Sequence, residues 1–156
     1  MISPQEALIY TMVAAAEADR DITDGEIAII GDLVNHLPIF SGVDRAAMTA
    51  MATRCSKMLA RPGGGDQVFG LIRQALSMPL RETAYALACD VIAVDNRLNR
   101  SEMRVLEEIR AQLEVDPAMA RAMTGSTSSC ARICSSAPIS ARFNRRSTAM
   151  TSHASA

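Results

Sequence analysis

An acidic segment, DRDITDGE at residues 19–26, decides the fold, because it returns 76 positions later as DNRLNRSE at residues 95–102. Both copies keep an opening Asp, an aliphatic residue three places on, a helix-capping residue next and a Glu at the eighth place. An apolar helical pattern precedes each copy and another follows it. An internal repeat indicates the architecture of a fold more directly than any single residue, and this one predicts a duplicated helix–loop–helix.

The composition of the chain favours helices. The 156 residues are 49% hydrophobic but only 3% aromatic, with no Trp, so the core must consist of Ala, Leu, Ile, Val and Met. Such a core suits closely packed helices, and no stretch alternates with period two for long enough to form a strand. We predict an all-α fold, a compact bundle of about seven helices with an internal helix–loop–helix repeat. The predicted helices cover about residues 4–18, 24–37, 45–59, 67–76, 79–94, 100–113 and a short stretch after 117.

The chain changes character after residue 123. Residues 124–156 contain 9 Ser and 4 Thr, with Arg but no acid, Leu or Val. Such a composition is typical of a disordered tail, although an out-of-frame reading of the gene would give the same abrupt change. We predict a helical domain over residues 1–123 and a disordered Ser/Thr/Arg-rich tail over residues 124–156.

The charge distribution excludes several kinds of partner. Residues 1–116 carry 11 Lys and Arg against 17 Asp and Glu, a formal charge of −6. Because an acidic domain is poorly suited to phosphate backbones, we expect no nucleic-acid partner.

We also expect no membrane insertion and no secretory signal, since no apolar stretch of about 18 residues and no basic leader is present. The four cysteines form no CxxC pair, which indicates reduced cytosolic thiols.

The carboxylates of the repeat have two interpretations. Local structure explains all of them, because Thr23 and Asn99 are good N-cap residues with a Glu three places on, and an Asp just past a helix end closes an Asx turn. The other interpretation is a cation site. Five acids lie within residues 17–26 with a single Arg among them, and like charges this close favour a bound cation.

The cation interpretation predicts one shared site. Carboxylate oxygens suit Ca²⁺ or Mg²⁺, although the spacing is not that of an EF-hand. In the second copy Arg97 and Arg100 replace two of the acids, which favours a site shared by the two copies over two separate sites. Such a site requires that the copies pack about a pseudo-two-fold axis. Its predicted metal ligands are Asp19, Glu26, Asp95 and Glu102.

Patterns of catalytic residues are missing from the sequence. No ExxH pair is present for a di-iron bundle, and the glycines at 63–65 lack the GK[ST] of a phosphate loop. No Ser or Cys has a His partner in a pattern that supports a nucleophile. His36 and His153 are too few for a usual zinc site, and His36 is predicted to lie at a helix C-terminus, where the dipole favours it. We therefore predict that the protein is not an enzyme.

The repeat, together with RETAYALA at residues 81–88 and the run from Ile92 to Leu106, resembles the tellurite-resistance TerB-like family. The resemblance covers roughly residues 4–122. It implies an all-helical bundle with an internal repeat, a cytoplasmic location and acidic residues that bind metal. Similar domains occur in membrane-anchored DnaJ-like co-chaperones, and members are linked to tellurite and other stress resistance. The Asp-Gly common in the family is Asp-Arg at residues 19–20 and Asp-Asn at residues 95–96.

Two functions follow as predictions. The first is a cytoplasmic, non-enzymatic TerB-like stress-resistance protein that binds a divalent metal through the acidic repeat. The alternative is a metal-free helical adaptor, similar to a co-chaperone, that docks a protein partner. Met48, Met51 and Met58 are compatible with an adaptable docking surface, although packing in a helix core is the commoner explanation of such residues. The oligomeric state does not follow from the sequence.

Overall fold

The computed structural model describes residues 1–17, 24–93 and 100–124, and of residues 24–27, 29 and 124 it describes the backbone alone. These residues form α-helices joined by short connections, with no strand among them, so the predicted all-α class is confirmed. The predicted tail lies outside the described residues, apart from Thr124 at the end of the last helix. The helices are α1 (Pro4–Glu17), α2 (Asp24–His36), α3 (Arg45–Leu59), α4 (Gly64–Ala75), α5 (Met78–Ile92), α6 (Arg100–Leu113) and α7 (Pro117–Thr124), with a 3₁₀ turn (Pro38–Phe40) between α2 and α3.

Side-chain caps set the starts of three helices where the sequence predicts them. The Ser3 hydroxyl accepts the amide of the third residue of α1 at 3.1 Å. Asp44 accepts the corresponding amide of α3 at 2.7 Å, and Asp116 accepts an amide of α7 at 2.7 Å. These bonds satisfy amides that have no partner within the helix. The predicted caps Thr23 and Asn99 lie outside the described residues, directly before the first residues of α2 and α6.

The start of α4 differs from the sequence prediction. The sequence predicts that the helix starts at residue 67, yet it begins three residues earlier, at Gly64. Gly63 takes the left-handed conformation, with φ of 73°, and turns the chain back on α3. A Cβ on Gly64 would lie 1.9 Å from the carbonyl oxygen of Met58. The glycines therefore permit a close approach of two backbones, and the connection is a tight turn rather than a flexible linker.

Helix α1 is the central helix of the bundle. The sequence predicts a single apolar stripe along α1, but every residue from 6 to 16 is buried. The helix packs against α2, α3, α4, α5 and α6. A helix that is apolar on all sides belongs in the interior, and the hydroxyl of Thr11 is satisfied there because it donates to the carbonyl oxygen of Ala7 at 3.0 Å.

Helix α5 is the main neighbour of α1 and is also largely buried. It packs against α1, α2, α6 and α7. Small residues such as Ala84 and Ala88, both fully buried, let neighbouring helices come close. The core thus forms around α1 and α5, the two helices that precede the acidic segments.

Arginines tie the turn between α6 and α7 to the end of α4. The Arg81 guanidinium lies 2.5 Å from a carboxylate oxygen of Glu114 and donates to the carbonyl oxygens of Arg73 and Leu76 at 2.9 and 3.2 Å. Arg73 in turn donates to the carbonyl oxygen of Gln112 at 2.7 Å. Glu114 has a φ of 58°, a strained conformation for a non-glycine residue.

Candidate functional site

The four predicted metal ligands fall largely on residues that the structure does not describe. Asp19 and Asp95 lie outside the described residues, and of Glu26, the third residue of α2, only the backbone is described. Glu102, the third residue of α6, is half-buried. Among the side chains that are described, no three His, Cys, Asp or Glu are grouped to hold a metal ion. Since that set includes only Glu102 of the four, the metal site stays a prediction.

The helices next to the acidic segments form one packed group. One segment joins α1 to α2 and the other joins α5 to α6. Helix α1 packs against α5, and each also contacts the helix that follows the other segment, so that α1 touches α6 and α2 touches α5. This reciprocal packing is what a shared site requires. The pseudo-two-fold relation and the convergence of the carboxylates stay predictions.

Polar contacts join α1 to α3 near the start of α1 and at its last residue. Oε1 of Glu6, which is buried, accepts hydrogen bonds from the Tyr10 hydroxyl at 2.9 Å and from the Arg54 guanidinium at 2.7 Å. The Ser56 hydroxyl donates to the carboxylate of Glu17. We call these five residues the α1–α3 polar cluster. Burial, and then the hydrogen bond to Glu6, raise the pKa of Tyr10 to about 12.

The α1–α3 polar cluster fixes both ends of α1 against α3. Glu6 lies in the first turn of α1, and Glu17 is its last residue, two positions before Asp19. Buried polar groups destabilise a fold unless they are paired, and none of the buried side-chain N or O atoms in the described part of the chain lacks a hydrogen-bond partner. The contact between Ser56 and Glu17 therefore holds the last residue of α1 against α3.

The cysteines of the bundle are not suited to nucleophilic chemistry. Cys55 is fully buried, and its thiol donates to the carbonyl oxygen of Tyr10 at 3.7 Å. Burial, followed by the charges of Glu17 and Glu6, raises the pKa of Cys55 to about 12. Because the thiolate is the reactive form, this thiol is inert at neutral pH. Cys89 is also buried and free, and the remaining cysteines lie outside the described residues.

The other residues singled out in the sequence have structural roles. Nδ1 of His36, in the last turn of α2, donates to the carbonyl oxygen of Asp32 at 2.7 Å, which confirms its predicted position at a helix C-terminus. Met48, Met51 and Met58 are half-buried and pack against the core. They therefore contribute to the packing of α3 on its neighbours.

The sequence predictions do not include the α1–α3 polar cluster. The spacing of Ser3 and Glu6 is that of a capping box, but Oε1 of Glu6 binds Tyr10 and Arg54. One signal was available, since Glu6 and Tyr10 are four residues apart and therefore lie on the same face of α1. The pairing with Arg54 spans 48 residues, and no local pattern indicates it.

The fold defines the class of protein as a small all-α bundle built around two buried helices. The chain matches the family model described as Tellurite resistance protein TerB over residues 5–124, which is more than half of its length. It therefore belongs to the TerB family. No curated protein and no solved structure matches the chain. Among the helices that the structure describes, none has the length and apolar character needed to cross a membrane.

Proposed function

We propose that this chain is a cytoplasmic, non-enzymatic stress-resistance protein, acting in tellurite resistance, that binds one divalent cation between its two acidic segments. The ligands are Asp19, Glu26, Asp95 and Glu102. Carboxylate oxygens of this kind are the donors that Ca²⁺ and Mg²⁺ prefer, so the donor set fits these ions. A bound cation also relieves the repulsion among the five acids of residues 17–26.

The observation that carries the proposal is the reciprocal packing of the repeat helices. Because α1 contacts α6 and α2 contacts α5, the helices on both sides of each acidic segment belong to one unit. A cation held by carboxylates from both segments joins the two halves of that unit. Family membership over residues 5–124 supports the assignment to stress resistance.

The two acidic segments contribute unequally to the proposed site. Residues 19–26 carry Asp21 and Asp24 beside the two ligands, whereas the corresponding positions of residues 95–102 are Arg97 and Arg100. The first segment therefore supplies most of the negative potential, and the second supplies assisting ligands. Charge removal in the first segment should weaken binding more than the same change in the second.

Isothermal titration of Ca²⁺ and Mg²⁺ into the full chain, freed of metal with a chelator, tests the proposal. We expect saturation at one ion per chain. Replacement of a residue that only hydrogen-bonds to a metal ligand lowers metal affinity by about 10- to 100-fold. Since Asp19 is itself a proposed ligand, Asp19→Asn should lower the affinity by at least about tenfold, and Asp95→Asn should lower it by less. Asp32→Asn removes the same charge from an exposed position of α2 and should leave the affinity unchanged. Absence of binding for both ions, or equal loss in the control, would contradict the proposal.

The alternative function is a metal-free adaptor that docks a protein partner. The exposed side chains of Met78 and Met103, 46% and 47% accessible, favour it to the extent that flexible apolar side chains suit partner surfaces. A pull-down in the presence of a chelator separates the two functions. Recovery of one specific partner under that condition, together with absence of cation binding in the titration, would favour the adaptor.

A further inference from the structure

We draw no further inference here: the strongest candidate, the α1–α3 polar cluster, carries nothing because its groups partner one another within the helix interface and the acidic segment that follows it, where a ligand would have to bind, lies outside the described residues.

Discussion

Removal of Arg54 should destabilise the protein far more than its exposure suggests. The Arg54 side chain is 61% accessible, whereas the Glu6 side chain to which it donates is 11% accessible. An exposed ion pair contributes about 0–1 kcal/mol. A buried carboxylate that loses a charged partner, however, incurs a desolvation penalty of about 1–3 kcal/mol or more. Arg54→Ala leaves Glu6 with the neutral Tyr10 hydroxyl, so we expect a loss of about 2 kcal/mol in the free energy of unfolding.

The physical reason is testable because the penalty depends on the charge of Glu6. Glu6→Gln keeps a carbonyl oxygen that accepts hydrogen bonds from Tyr10 and Arg54. It has no charge that would be left buried without a charged partner. In that background Arg54→Ala should therefore lower the free energy of unfolding by less than about 1 kcal/mol, the range of an exposed interaction. The thermodynamic cycle then gives a coupling of at least about 1 kcal/mol between the two positions.

Urea unfolding followed by circular dichroism measures all four variants of the cycle, with the free energy taken from the midpoint and the slope. Lys57→Ala, which removes an exposed cation from the same helix, serves as the control and should change stability by no more than about 0.5 kcal/mol. A cost for Arg54→Ala equal to that of the control, or unchanged by Glu6→Gln, would refute the reasoning.

Three further perturbations test other parts of the structure. Gly64→Ala places a Cβ 1.9 Å from the Met58 carbonyl oxygen and should lower the free energy of unfolding, measured in urea, by about 1–3 kcal/mol or more. Gly65→Ala, with nothing within 4 Å of the added Cβ, should leave that free energy unchanged or raise it. Because burial raises the pKa of Cys55 from 9.0 to about 12, the unfolded chain loses the thiol proton first as the pH rises. The free energy of unfolding should then fall between pH 9 and 10 by up to about 1.4 kcal/mol. In urea titrations at the two pH values, Cys55→Ala should show a smaller fall than the wild type. The same pH dependence in both proteins would contradict this. Arg81→Ala deletes donors to two carbonyl oxygens and a carboxylate. It should lower the free energy of unfolding, measured by thermal unfolding, by about 2–3 kcal/mol. A change below about 0.5 kcal/mol would show that these contacts are dispensable.

The helices could be predicted from the sequence because their signals are local. Ser3, Asp44 and Asp116 stand where the caps are found, since an N-cap depends only on the residues of its own first turn. The predicted start of α4 was wrong because it depends on a contact with another helix. Gly64 lies against the Met58 carbonyl at the end of α3, where a Cβ would not fit, and the sequence shows three adjacent glycines at residues 63–65 without showing what they approach.

The burial of α1 on all sides could be predicted only in part from the sequence. The sequence indicates an apolar stripe, but the number of neighbouring helices decides how many faces are covered, and that number depends on topology. The same limit applies to the α1–α3 polar cluster. The pairing of Arg54 with Glu6 and of Ser56 with Glu17 joins residues of separate helices, and only the packing of α3 on α1 brings them together.

The central claim, that one cation joins the two acidic segments, is tested most directly by a crystal structure of the full chain grown with Ca²⁺, in which anomalous scattering locates the ion. The account predicts a single ion with carboxylate oxygens of Asp19 and Glu26 at about 2.3–2.6 Å and with Asp95 or Glu102 completing the same site. Two separate ions, an ion held by one segment alone, or segments whose carboxylates point away from each other with no ion between them would contradict it.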